Sequence, residues 1–217
     1  MPSQMSGQVT RPARARSPEE KLVRRGDILR AAERLWTTTP YADLSMNQVA
    51  REVQLAKGTL YLYFETKEEL FLALLSEHYQ AWFTHLNTLL DERQPKTPDE
   101  VADLITESLR GYEAMRRLQL LLGGVLERSE LALNFRRQVL SLMQATAPRL
   151  PYPYDTAMRV LVHTDALCVG WQHLTEETPA HRTLLFHPEL RPLVVDFEQE
   201  MNMSLRALLN YLQTQTS

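Results

Sequence analysis

The chain has 217 residues, 44% hydrophobic and 24% charged, with a net charge of −3. Its one cysteine, Cys168, excludes an internal disulfide framework, and 7 glycines among abundant Leu, Ala, Glu and Arg disfavour a turn-rich β-sandwich. No apolar run nears the roughly 18 residues of a membrane span and no apolar signal core opens the chain, so a cytoplasmic, reducing setting is expected. Charge is uneven: residues 1–67 hold 11 Lys and Arg against 7 Asp and Glu, a local +4 that leaves −7 for the rest. A basic module joined to an acidic body points to a polyanionic partner for the first part.

Residues 1–17, with Arg11, Arg14 and Arg16 and no acid, read as a disordered basic arm. Ser17-Pro18-Glu19-Glu20 is a helix start: Ser17 accepts a free N–H, Pro18 suits the first position and Glu20 completes a capping box. That helix sets Ile28, Ala32, Leu35 and Trp36 on one face and stops at Thr37-Thr38-Thr39-Pro40. Ser45 caps a short helix carrying Met46, Val49, Ala50 and Val53. A second short helix is predicted over Lys57 to Phe64, with Leu60 and Phe64 inward. Thr66 opens a long helix whose apolar positions recur every four residues from Leu70/Phe71 to Leu89/Leu90. Beyond Pro98, the spacing of Val101, Leu104, Ile105, Leu109, Tyr112 and Met115 predicts one amphipathic helix. Gly123-Gly124 predicts a kink or a close backbone contact. Further helices follow over about 130–147 and 154–176, with a loop over 179–188. A last helix has the seam Leu190, Val194, Phe197, Met201, Leu205, Leu208 and Leu212. The expected fold is all-α, with a three-helix module over 18–66 and a larger helical domain over 67–217.

Two short helices with a tight connection and a third beside them make a helix-turn-helix by element order alone. Chemistry sharpens this. Lys57, Thr59, Tyr61 and Tyr63 put hydrogen-bonding tips on one short helix, and such tips serve phosphate oxygens and base edges alike. Gly58 admits a close backbone approach to a duplex, and Lys67 places a cation at the next helix start. Two tyrosines and a phenylalanine within eight residues exceed what one short helix can bury.

The stretch from Arg25 to Leu75 resembles the DNA-binding domain of TetR-family transcriptional regulators. The resemblance is carried by Ile28 to Ala32, Ser45 to Ala50, Lys57 to Tyr61 and Lys67 to Leu70. It implies a homodimer of helical protomers that meets a palindromic DNA operator and is released by a small, largely apolar effector. It further implies DNA contacts from Ser45, Lys57, Gly58, Thr59, Tyr61, Tyr63 and Lys67. Of these, Lys57, Thr59 and Tyr63 would face the groove, and Ser45, Tyr61 and Lys67 would hold phosphates. Two positions depart from the family pattern. Gln54 stands where a glycine turns the chain, at a cost of about 1 kcal/mol if φ is positive. Ala56 stands where a serine caps, a loss of roughly 0.5–2 kcal/mol.

In the second domain Trp82, Tyr112, Met115, Phe135, Met143, Met158 and Trp171 are candidate effector-pocket walls, with core packing the alternative for each. His78, His163, Asp165 and His173 are polar groups set among apolar positions, able to orient a ligand. No histidine pair has metal-binding spacing and no nucleophile, phosphate or dinucleotide motif is present, so neither cofactor, metal nor catalysis is expected. Cys168 is either an inert core thiol or a redox sensor. Two other readings compete with a regulator: an adaptor whose helix-turn-helix is impaired by Gln54 and Ala56, and a small enzyme built on His163 and Asp165.

Overall fold

The computed structural model describes residues 17–126, 130–176, 183 and 186–214, of which 125 and 126 by backbone alone. The arm read over 1–17 thus lies, but for Ser17, outside the described residues, as does most of the loop read over 179–188. Among the described residues every regular element is a helix.

Helix α1, Pro18–Thr38, opens with the expected capping box: the Glu20 N–H donates to Ser17 Oγ and the Ser17 N–H to the Glu20 carboxylate. Its buried face is Ile28, Leu29, Ala31 and Ala32, while Leu35 and Trp36 are half-buried. A 3-10 turn, Tyr41–Asp43, leads to α2, Met46–Glu52, where Ser45 and Gln48 form a second capping box. Gln54 then takes φ of 54°, the left-handed region expected of a glycine turn. Helix α3 is shorter than predicted, Lys57–Leu60 instead of Lys57 to Phe64. After Leu60 the N–H groups of Leu62 and Tyr63 reach back only three residues, to the Thr59 and Leu60 carbonyls. Ala56 offers no side-chain cap, and Gly58, Thr59 and two tyrosines are weak helix formers, so nothing extends the ladder.

Helix α4, Lys67–Arg93, keeps its rhythm throughout: Leu70, Phe71, Leu74, Leu75, Tyr79, Trp82, Phe83, Leu86, Leu89 and Leu90 are all buried. The helix predicted from Val101 to Met115 is two, α5 (Pro98–Ser108) and α6 (Glu113–Leu121), parted at Gly111 with φ of 79°. Apolar spacing carried across the break because the turn conserves the buried side. The chain breaks again at Leu122 before α7, Gly123–Leu126. A Cβ added at Gly123 or Gly124 would meet nothing within 4 Å, so the pair acts through poor helix propensity and not through close contact.

Helices α8 (Glu130–Thr146), α9 (Tyr154–Thr175) and α10 (Phe197–Thr214) complete the fold. The last helix starts later than its seam predicted, because Leu190 lies in a 3-10 turn holding Pro188 and Pro192, and Val194 caps that turn. Its buried line runs Phe197, Met201, Leu205, Leu209, Leu212, with Leu208 half-buried beside it. Helix α10 packs on α5 and α9, and α6 on α9. The chain divides into two compact units, Met1–Leu74 and Leu75–Ser217, so α4 belongs to both.

Candidate nucleic-acid interface and inner cavity

In the first unit the capped helix α2 and the turn at Gln54 deliver α3 with its apolar side, Leu60 and then Phe64, buried at 0% and 2% exposure. The other side is open. Lys57, Gly58 and Tyr61 are exposed, and Thr59 and Tyr63 half-buried. Lys57 Nζ lies 5.7 Å from the Tyr61 ring centroid, so amine and phenol form one polar edge. A Cβ on Gly58 would meet nothing within 4 Å, so the free chain does not require glycine there.

Ser45 is exposed, and its hydroxyl already serves the α2 cap, donating to Gln48 Oε1 at 2.7 Å. Lys67 is held inward. Its Nζ donates to the carbonyls of Tyr41 at 2.8 Å and Leu44 at 3.0 Å and sits 4.2 Å over the Tyr41 ring. The ammonium therefore ties the start of α4 to the turn before α2, with one of its three donors left for another acceptor. Tyr41 itself is pushed up to about 12 by burial and by the neighbouring Glu68 carboxylate.

In the second unit a cavity of about 250 Å³ lies among α4, α6, α8 and α9, lined by Tyr79, Gln119, Phe135, Arg136, Val139, Leu140, Met143 and Asp165. Asp165 Oδ1 accepts from the Tyr79 hydroxyl at 2.6 Å and from Gln119 Nε2 at 2.9 Å. Burial raises the Asp165 carboxyl against the lowering effect of those two donors and of Arg136. Burial and the Asp165 charge also hold the Tyr79 phenol well above its usual range. A second cavity of about 430 Å³ lies beside Arg116, Arg117, Gln172, Glu176 and Phe197. Its polar groups pair with each other: Arg116 Nε donates to Gln172, Gln172 Nε2 to Glu176, and Arg117 bridges Glu176. The first cavity, apolar with converging polar atoms, is the better ligand site.

Residues 28–74 match the family model for bacterial regulatory proteins of the tetR family, and residues 76–216 match that for the tetracyclin repressor-like C-terminal domain. The chain belongs to the TetR family. Among its relatives, the uncharacterized HTH-type transcriptional regulator YuxN of Bacillus subtilis is 34% identical over 71 residues, 32% of this chain and 24% of YuxN. The HTH-type transcriptional repressor NemR of Escherichia coli K12 is 24% identical over 88 residues, 41% of this chain and 44% of NemR. The chain thus spans less than half the length of these curated relatives. The multidrug binding protein EbrR, solved with imidazole, shares the fold at TM-score 0.54 and 22% identity, covering 80% of this chain and 96% of EbrR.

Of the effector-site residues read in this TetR-family chain, the cavity gathers Phe135, Met143 and Asp165. Trp82 is buried and donates to Ser108 Oγ at 3.0 Å, and Trp171 donates to Ser204 Oγ at 3.0 Å, joining α9 to α10. Met115 is core at 1% exposure, and Tyr112 reaches the Ala81 carbonyl and stacks on His85. His163 and His173 are exposed, and His78 and Met158 half-buried, none of them lining the cavity. Tyr79, Gln119 and Arg136 line it without having been singled out; a polar Gln119 inside the apolar run Leu118 to Leu122 was the available signal. Cys168 is 3% exposed and burial pushes its thiol up, an environment that suits a core thiol better than a reactive one. Among the described residues no cluster of His, Cys, Asp or Glu is placed to hold a metal ion, and no helix is long and apolar enough to cross a membrane.

Proposed function

We propose that the chain is a ligand-responsive transcriptional repressor that binds a palindromic operator as a homodimer and is released by a small, largely apolar effector. The open polar edge of α3 and the turn that follows it, Lys57 to Tyr63, is the observation that carries the DNA reading. Lys57, Thr59 and Tyr63 would enter the major groove with Gly58 at closest approach. Ser45, Tyr61 and the remaining donor of Lys67 would meet phosphates. Repression is supported by the name of the relative NemR, and effector binding by that of EbrR together with the inner cavity. Helices α9 and α10 leave Val162, Leu174, Met203 and Tyr211 more than half exposed, an apolar surface suited to a second protomer. A two-fold dimer would read half-sites one turn apart, roughly 34–36 Å. Helix α4, common to both units, would carry effector occupancy to the reader, a coupling of about 1–3 kcal/mol that acts equally in both directions.

The test is fluorescence anisotropy on DNA from upstream of the chain's own gene, across a salt series. Specific binding should fall steeply with salt, and Lys57→Ala should reduce the slope by about one. Salt-independent binding no tighter than to random duplex, on any sequence recovered by selection from genomic fragments, would instead favour an adaptor with an impaired reader.

A further inference from the structure

We propose that the cavity of the second unit selects a small lipophilic cation, with Asp165 as counter-ion and Gln119 as a second acceptor. The inference rests on reading that unit as effector-binding and adds the charge class of the effector.

The donors and acceptors of the cavity decide its sign. Its neutral donors are already engaged: the Tyr79 hydroxyl and Gln119 Nε2 both donate to Asp165 Oδ1. That arrangement fixes the Gln119 amide, because turning it over would set Oε1 against a carboxylate. Gln119 is only 7% exposed, and its Oε1 finds no hydrogen-bond partner. Native structures rarely leave a buried acceptor so. The inner polar atoms still able to bond are thus acceptors, Asp165 Oδ2 and Gln119 Oε1, and a ligand must bring the donors. A protonated amine brings several donors and a charge opposite to the carboxylate.

The remaining walls recognise an apolar body. Phe135, Val139, Leu140 and Met143 come from successive turns of α8. The Tyr79 and Phe135 rings meet edge to face, with centroids 5.4 Å apart, and aromatic faces attract cations. Arg136, from the same helix, is exposed, so solvent screens its charge more than that of the partly buried Asp165. An anionic ligand would have to shed water beside Asp165 with no inner donor to receive it. At about 250 Å³ the cavity lies just below the usual range for drug-sized ligands, roughly 300–1,000 Å³, and fits one substituted ring.

Calorimetric titration of the full chain with three probes of matched shape tests the proposal: benzylamine, benzyl alcohol and benzoate. Benzylamine should bind at least about tenfold more tightly than the other two, a difference of about 1.4 kcal/mol. Asp165→Asn should erase that preference, bringing benzylamine down to the affinity of benzyl alcohol for the same variant. Equal binding of the three, preference for benzoate, or no binding of benzylamine at millimolar concentration would each overturn it. So would a preference that survives Asp165→Asn. The probe series on the unaltered chain decides even if the variant does not fold. The broader effector reading fails separately, if no member of a chemically mixed compound panel displaces the protein from its operator.

Discussion

The two units use the same residue types in opposite ways. In the first, the hydroxyl and amine tips of Lys57, Tyr61 and Tyr63 stand at or near the surface of the four-residue helix α3 and the turn after it, which Leu60 and Phe64 anchor. In the second, comparable tips turn inward. Tyr79 reaches Asp165, Trp82 reaches Ser108, Trp171 reaches Ser204, and Arg116 lies 4.1 Å over the Phe197 ring while donating to Gln172. A polar tip left at the surface is available to a partner, whereas one satisfied inside fixes the packing of helices. The reader is therefore weakly built and chemically open, and the body is strongly built around a cavity in which the Gln119 Oε1 acceptor stays unmatched.

The largest expected effect falls on the inward side. Trp82→Ala removes a buried indole and the hydrogen bond to Ser108, and should cost about 3–5 kcal/mol in urea denaturation. Tyr61→Ala, on the exposed edge, should change stability by less than about 0.5 kcal/mol while weakening operator binding. A comparable loss of stability for both would break the contrast between the units.

Lys67 is where that contrast is sharpest inside the first unit, because it was read as a phosphate contact and lies against two carbonyls. Lys67→Ala should destabilise by about 1.5–3 kcal/mol, the range for hydrogen bonds to a charged group. Lys57→Ala should leave the melting temperature almost unchanged and act on DNA affinity alone. Equal melting temperatures for the two variants would return Lys67 to the exposed set.

Much of this was legible in the sequence because it is local. The capping box at Ser17 and Glu20 and the four-residue rhythm of α4 each depend on residues a few positions apart, whereas the left-handed turn at Gln54 was implied by the family resemblance alone. The reader helix was legible in chemistry though not in length, since its crowding of tyrosines marked an open surface while the same weak helix formers let it end at Leu60. The cavity was only partly legible. Whether an aromatic lines a void or fills a core depends on which helix lies opposite, and periodicity carries no such information. Trp82 and Met115 share the apolar spacing of Phe135 and Met143, yet the first two are closed off by neighbouring helices and the second two face space. Asp165 stood out as a carboxylate on the turn between Leu161 and Cys168; Tyr79 did not, being hidden in the rhythm that made α4 certain.

The smallest predicted effects address why the reader is weakly built. Gln54 holds φ of 54°, and Ala56 begins α3 with no side-chain hydrogen bond. Gln54→Gly relieves a side chain forced into the left-handed region and should stabilise by about 1 kcal/mol. Ala56→Ser supplies an acceptor for a free N–H of α3 and should add roughly 0.5–2 kcal/mol. The two act on the same turn, so their sum need not be additive. If folding of α3 limits DNA binding, both variants should tighten operator affinity by the stability they add locally. If α3 is already formed in the free chain, denaturation midpoints should rise with affinity unchanged. The pair of measurements therefore separates a reader that is open because it must be reordered on DNA from one that is open and ready.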